Sequence, residues 1–270
     1  MNSEQIEYWN GDAGVVWVAQ QERLDRQLDA LGRAAFAALA PRAGEHILDV
    51  GCGSGTTSLQ LADAVGPTGR VVGVDISLPL LAAARRRTRG PHVSFIEADA
   101  QTHPFAPVDG VYSRFGVMFF ADPFAAFANL RRALRPGGRV AFVCWRSVDE
   151  NPMMAGPMAA AAKYFPPLPP PDPHAPGPFA FADRGRVARI LEAAGFGAVG
   201  IEPHDEPVGG NDRADTLELA LNLGPLGRLL REHPERRAVA TDAVRDAIEP
   251  FIVDGVARFP TATWIVTAKS

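Results

Sequence analysis

An α/β fold, with a parallel sheet covered by helices on both faces, is what this sequence predicts, and three observations predict it. Strand-length apolar runs alternate with helical stretches from residue 46 to residue 145. A glycine-rich turn, Gly51-Cys52-Gly53-Ser54-Gly55, separates the first of those strands from the helix after it, where an open parallel sheet places its ligand crevice. The composition is that of a folded chain, with 47% of 270 residues hydrophobic and 21% charged, too apolar for disorder. A chain of this length buries about 70–75% of its unfolded surface, enough for one large α/β domain or a domain with a lid.

The elements follow in order. From residue 18 to 39, Leu24, Leu28, Leu31, Ala35 and Leu39 recur every three or four positions and predict an amphipathic helix stopped by Pro41. Residues 1–20 are mixed, with Tyr8, Trp9 and Trp17 among glycines and polar groups. Strands are predicted at 46–50, 70–75, 93–97, 110–113 and 139–145, with helices at 57–65, 78–87 and 123–134 between them. Residues 151–180 hold 10 of the 24 prolines, culminating in Phe165 to Pro171, and predict stiff extended chain wrapping the surface, as a spacer or as a wall of the substrate pocket. A helix at 183–194 stops at Gly195, a strand follows at 198–202, and residues 212–250 read as several short helices punctuated by Pro225 and Pro234. The strand at 263–267 closes the chain, and with 198–202 it suggests an antiparallel pair at one sheet edge.

Charge and cysteine usage narrow the function. Twenty-seven Lys and Arg stand against 31 Asp and Glu, a net charge of -4, so no nucleic-acid partner is expected. The 2 cysteines cannot make a disulfide framework or a four-thiolate zinc site, and no metal is expected. The sequence has no apolar run of about 20 residues and no basic-then-apolar leader, which predicts a cytoplasmic protein with no membrane partner.

The chemistry concentrates at residues 47–57. Glycine allows a sharp turn and lets a ligand approach without meeting a Cβ, and the helix beyond presents unpaired N–H groups. Asp75, at the end of the second strand, is placed to accept ribose hydroxyls. A dinucleotide fingerprint G-x-G-x-x-G would need a third glycine at position 56, which is threonine. The pattern is instead D-x-G-x-G-x-G, opened by Asp49, and an acid beside the turn suits a cationic amino group better than a phosphate. An NAD-dependent oxidoreductase is thereby the weaker alternative.

Taken together, residues 47–145 resemble class I S-adenosylmethionine-dependent methyltransferases, close to the ubiquinone/menaquinone-type small-molecule branch. The resemblance rests on Asp49 to Gly55, on Val72 to Ser77, on Glu97-Ala98-Asp99-Ala100, and on Leu130 to Val140 with Leu134-Arg135-Pro136-Gly137-Gly138-Arg139. It implies a Rossmann-like seven-stranded sheet of order 3-2-1-4-5-7-6, the last strand antiparallel, with a helical lid. It divides the chain into an N-terminal lid and helix (1–40), an S-adenosylmethionine-binding core (41–150), and a remainder (151–270) that completes the same domain. Asp49 with the backbone of Gly51, Cys52, Gly53 and Gly55 would hold the methionine end, and Asp75 with Ile76 the ribose. Asp99 and the Ala100 N–H would take the adenine, and backbone groups of Ser113 and Arg114 would meet the methionine portion. The sequence departs from the quinone-type pattern over 101–109, where His103 replaces a usual leucine. Cys52 and Cys144 sit in a turn and a strand, and cannot form a three-thiolate arsenic site.

The activity implied is methyl transfer to a small, largely apolar or aromatic acceptor. Tyr8, Trp9 and Trp17 on one side, with Phe115, Met118 and Trp145 on the other, are expected to close over that acceptor. No catalytic base is assigned. His103 and Arg114 are the two candidates, Arg114 as a clamp for a substrate carboxylate or as one half of a structural ion pair. His46 and His92 enter the sheet at the edge opposite the cofactor and are read as structural. A homodimer is left open, as is a domain that binds the cofactor but methylates nothing.

Overall fold

The computed structural model describes residues 2–88, 90–167 and 172–270. The first twenty residues carry no clear period, yet they form two short helices, α1 (Ser3–Asn10) and α2 (Asp12–Ala19), ahead of α3 (Gln21–Leu39). The apolar stripe of α3, Leu24 to Leu39, is buried as its spacing predicts. The helix ends where Ala40 turns left-handed, at φ 49°, immediately before Pro41.

Strands and helices then alternate as β1 (His46–Val50), α4 (Thr56–Val65), β2 (Arg70–Asp75), α5 (Leu78–Arg87), β3 (Val93–Glu97), β4 (Val108–Arg114), α6 (Pro123–Ala133) and β5 (Leu134–Trp145). Ser77 and Asp122 cap α5 and α6 through their side-chain oxygens, and a proline opens each helix. The prolines after β5 do not make extended chain throughout. Residues 152–161 form helix α7 (Pro152–Ala161), with Pro152 in the first turn, where its missing N–H has no intrahelical partner, and Pro157 inside the helix, where alanines and methionines around it favour the helix against the one hydrogen bond it removes. Phe165 is buried, and residues 168–171 of the proline run lie outside the described residues.

The remaining elements are α8 (Arg184–Ala193), β6 (Gly197–His204), β7 (Val208–Asp212), α9 (Arg213–Asn222), α10 (Gly224–Glu232), α11 (Arg237–Ile248), β8 (Ile252–Val253), β9 (Val256–Phe259) and β10 (Thr263–Lys269). The main sheet has seven strands in the order β3-β2-β1-β4-β5-β10-β6. Strand β10 runs antiparallel to both of its neighbours, and the pairs from β3 to β5 are parallel. This is the order the resemblance implies. A second, three-stranded antiparallel sheet, β7-β9-β8, is not foreseen, since strands this short carry too few residues to show alternation. Among the described residues no helix is long and apolar enough to cross a membrane.

Because β2, β1 and β4 are adjacent and parallel, their carboxyl ends at Asp75, Val50 and Arg114 meet along one edge. The two loops flanking β1 at that edge, after β2 and after β4, hold most of the residues the sequence singled out.

Candidate active site

The glycine turn leaves β1 with its backbone N–H groups tied to the next strand: Gly51 N and Cys52 N both donate to Val74 O. All three glycines have positive φ, at 67°, 53° and 85° for Gly51, Gly53 and Gly55, but they serve different ends. A Cβ on Gly51 would lie 2.6 Å from Gly116 Cα, and one on Gly55 2.7 Å from Phe95 Cζ. Those two positions allow the turn to pack against the β4 loop and against β3. A Cβ on Gly53 would meet nothing within 4 Å. Gly53 is where the turn stays open to a ligand.

Asp49 lies beneath the turn, fully buried. Its Oδ2 accepts from Thr57 Oγ1 at 2.7 Å and Ser58 Oγ at 2.6 Å, while its Oδ1 has no partner. Burial pushes this carboxyl from 3.8 up to about 6, against the pull of the two hydroxyls and of the Arg114 charge. A buried carboxylate oxygen without a partner is costly unless something cationic meets it. Asp75, whose carboxyl burial also pushes up, accepts from Gly53 N at 2.8 Å and Ser77 N at 2.9 Å. A carboxylate has about four acceptor positions, so it can brace the turn and still take hydroxyls.

At the end of β3, Asp99 is drawn onto Gln101, accepting from its backbone N and from Nε2. Asn129 Nδ2 donates to Ala100 O and His103 O, fixing the loop from α6. A lone amide among the apolar positions of α6 was a signal that could have found Asn129. Ser113 Oγ donates to Val50 O at 2.7 Å and accepts from Gly116 N, joining the ends of β4 and β1. Ile76 O accepts from Asn10 Nδ2 at 2.8 Å.

The predicted acceptor residues fall into two groups. Trp9 packs edge-on to Trp17, to Phe119 and to Tyr8, with centroids 5.4, 5.4 and 5.3 Å away, and Tyr8 is partly exposed. Phe115 stacks on Trp145 at 4.3 Å. Phe115 has φ 60°, strained for an aromatic residue, and strain of this kind gathers at functional sites. Met118 is fully buried, so in this structure it belongs to the core and lines no opening. Met153 and Met154 of α7 are half-buried against the same core.

The two catalytic candidates are placed differently. The Arg114 guanidinium donates to Asp25 Oδ1 at 2.9 Å, which makes it the structural pair and not a free clamp. The reason is local: Asp25 of α3 also takes Thr56 Oγ1 at 2.6 Å, so one carboxylate ties α3 to β4 and to the start of α4. His103 is exposed and stands edge-on to Phe105, with its ring turned to solvent. His46 pairs with Arg135 and Asp109 at the opposite edge of the sheet, a structural role. Cys52 and Cys144 are buried free thiols, and burial pushes both well up, which keeps them protonated.

A cleft of about 940 Å³ opens beside Asp25, walled by Glu22, Arg23, Arg26, Arg87 and Asp215 among others. Its walls are charged, unlike the apolar chamber the sequence predicts. The apolar side chains instead close on one another, as water-exposed apolar surface will. Sequence reasoning missed Asp25 and Asn10, since nothing in local spacing marks a single polar residue that will meet a loop far along the chain.

The unpartnered Asp49 Oδ1 and the open Gly53 fit a ligand with a cationic end, and comparison with known proteins says which. Residues 47–138 match the methyltransferase domain family. An O-methyltransferase of Penicillium expansum is 31% identical over 235 residues, which cover 84% of this chain and 77% of that protein. The demethylmenaquinone methyltransferase of Thermus thermophilus is 43% identical over 103 residues, 37% of this chain and 46% of the relative. Of another curated relative, from a Streptomyces fradiae transposon, the chain spans 31%. A methyltransferase structure from Aquifex aeolicus superposes with TM-score 0.54 at 16% identity, over 95% of this chain and 97% of that one, a likeness of fold alone. The chain belongs to the class I S-adenosylmethionine-dependent methyltransferases, and its cofactor is S-adenosylmethionine.

Proposed function

We propose that this enzyme moves the methyl group to a phenolic oxygen of a small, largely apolar aromatic molecule. The observation that carries this reading is the reach of the similarity to an O-methyltransferase, which covers 84% of the chain and so includes elements beyond the cofactor half. The quinone-methyltransferase relatives match 37–43% of it.

Asp49 receives the methionine ammonium, Gly53 gives the backbone room to approach, Asp75 and Ile76 hold the ribose, and Asp99 with Ala100 N–H holds the adenine. Backbone groups of Ser113 and Arg114 border the methionine portion. Bound, the cofactor supplies a methyl on a sulfonium, an electrophile that needs no further activation. The chain's own work is to align the acceptor and keep water out. The Phe115–Trp145 stack and the aromatic group around Trp9 part to make the acceptor's walls, and Met153 and Met154 adapt to its outline. No side chain is assigned as a base, which favours a phenol: its hydroxyl ionises near pH 10, as tyrosine does, far more readily than an alcohol.

The test is a panel of phenols, hydroquinones and aliphatic alcohols incubated with the protein and methyl-labelled S-adenosylmethionine, with products resolved by mass spectrometry. Label on a phenolic oxygen supports the reading. Label on ring carbon, or S-adenosylhomocysteine formed at the no-acceptor rate with every compound, overturns it.

A further inference from the structure

The loop that carries the ribose acid is held from outside by the end of α1. Asp75 Oδ1 accepts from Ser77 N at 2.9 Å, and Ser77 stands between two residues gripped by a single side chain. Asn10 Nδ2 donates to Ile76 O at 2.8 Å, and Asn10 Oδ1 accepts from Leu78 N at 2.8 Å. Ser77 itself donates from Oγ to Trp9 O at 2.7 Å. Residues 76, 77 and 78 are thus each fastened to Trp9 or Asn10, where α1 ends. The other oxygen of Asp75 accepts from Gly53 N at 2.8 Å, so one carboxylate joins this fastening to the open position of the glycine turn. At its start α1 is tied to the loop after β4, where Asn2 Nδ2 donates to Phe119 O.

The joint is closely fitted. Gly14 of α2 is buried against it, and a Cβ there would lie 2.1 Å from Trp9 O and 3.0 Å from Ser77 Oγ. Asparagine suits position 10, because the Ile76 carbonyl needs a donor, the Leu78 N–H needs an acceptor, and a carboxamide offers both. The second Nδ2 hydrogen goes to Ile6 O at 2.8 Å, which fixes the amide's rotation. Aspartate would set an acceptor against both carbonyls. Tacking α1 to the domain could be done anywhere along α5; here it is done at the residues on either side of the N–H that holds Asp75.

The geometry points to Asn10 as a positioning residue for the cofactor, one that grips Ile76 and Leu78 so that Ser77 N keeps the Asp75 carboxylate set for the ribose hydroxyls. A carboxylate fixed before binding has less freedom to lose when it accepts them. Docking of α1 and binding of the cofactor then reinforce each other, and by linkage each strengthens the other by the same factor. The inference rests on the reading of Asp75 as the ribose acid and is independent of which acceptor is methylated.

A double-mutant cycle read by calorimetry with S-adenosylhomocysteine tests it. Asn10→Ala should weaken binding about tenfold in the wild-type background and less than about twofold in Asp75→Ala, where the carboxylate it acts through is gone. Gly14→Ala, which forces Trp9 O and Ser77 Oγ apart and leaves Asn10 unchanged, should depend on Asp75 in the same way. Reciprocally, S-adenosylhomocysteine should slow amide hydrogen exchange across residues 3–10 of the wild-type protein, and much less in Asn10→Ala. Unchanged affinity in Asn10→Ala overturns the inference. So does equal weakening in both backgrounds, which is what a general loosening of the fold would give, and so does wild-type exchange at α1 that ignores the ligand. Wild-type affinity in Asp75→Ala, or failure of the wild-type protein to bind S-adenosylhomocysteine, would instead overturn the cofactor-site reading.

Discussion

Replacing Asp49 by asparagine separates what this residue does for the fold from what it does for the cofactor. The carboxyl is raised by burial from 3.8 to about 6, so at pH 7 holding it ionised costs the native state about 3 kcal/mol relative to the unfolded chain. Because the native pKa is the raised one, the penalty is absent below about pH 4, grows as pH rises, and is fully present above about pH 6. Asparagine keeps an oxygen for the Thr57 and Ser58 hydroxyls but turns an N–H₂ toward the place where Oδ1 has no partner, at a cost of about 1–3 kcal/mol. Asp49→Asn should therefore leave the cofactor-free protein as stable as wild type at pH 7, or more stable by up to about 2 kcal/mol, with the advantage gone at pH 4. Binding should move the other way. Loss of a charged hydrogen bond to the methionine ammonium should weaken S-adenosylhomocysteine by about 10- to 150-fold. In wild type the affinity should also fall as pH drops below about 6, by up to about tenfold per unit, and this part of the pH profile should flatten in the variant. Urea unfolding at pH 7 and pH 4, with calorimetry across the same range, reads both effects. A variant less stable than wild type at pH 7 by more than about 1 kcal/mol, or one that binds with wild-type affinity, would refute this account of Asp49.

Asp75→Ala should weaken S-adenosylmethionine binding by about 1.5–3 kcal/mol, and Asp99→Ala by less, since water can stand in at the adenine edge; calorimetry ranks them, and the reverse order would exchange their roles. Gly53→Ala should fold, at a cost of about 1–2 kcal/mol for its positive φ, yet lose cofactor binding, while Gly51→Ala should lose much more stability because its Cβ would strike Gly116 Cα. Equal Tm values for the two variants would contradict that division. Deleting residues 1–18 should spare the seven-stranded fold, speed exchange of bound cofactor and abolish turnover; a truncated protein with full activity would reduce α1 and α2 to packing.

Much of this molecule is a local matter and was legible in the sequence. The strands from β1 to β5 and the helices between them lie where apolar periodicity puts them, save that β4 begins two residues and β5 five residues ahead of the apolar run, because a strand buried on both faces must be apolar along its length and a covering helix must carry a stripe. The glycine turn and its two flanking acids were likewise legible, since Asp49 and Asp75 have fixed distances from strand ends, and strand ends are local. The resemblance to known methyltransferases added the strand order, which no local pattern carries. Tertiary structure decided the rest. It alone divides Gly53, open to a ligand, from Gly51 and Gly55, which admit Gly116 and Phe95 from elsewhere in the chain. It turned Arg114 from a free charge into the partner of Asp25, because α3 arrives beside β4 only when the sheet assembles. It made helices of the first twenty residues, whose apolar side chains show no period but whose amides find backbone partners after β2 and β4. A residue's surroundings along the chain determine its element; the groups it meets across the chain determine its task, and those groups come together only in the folded state.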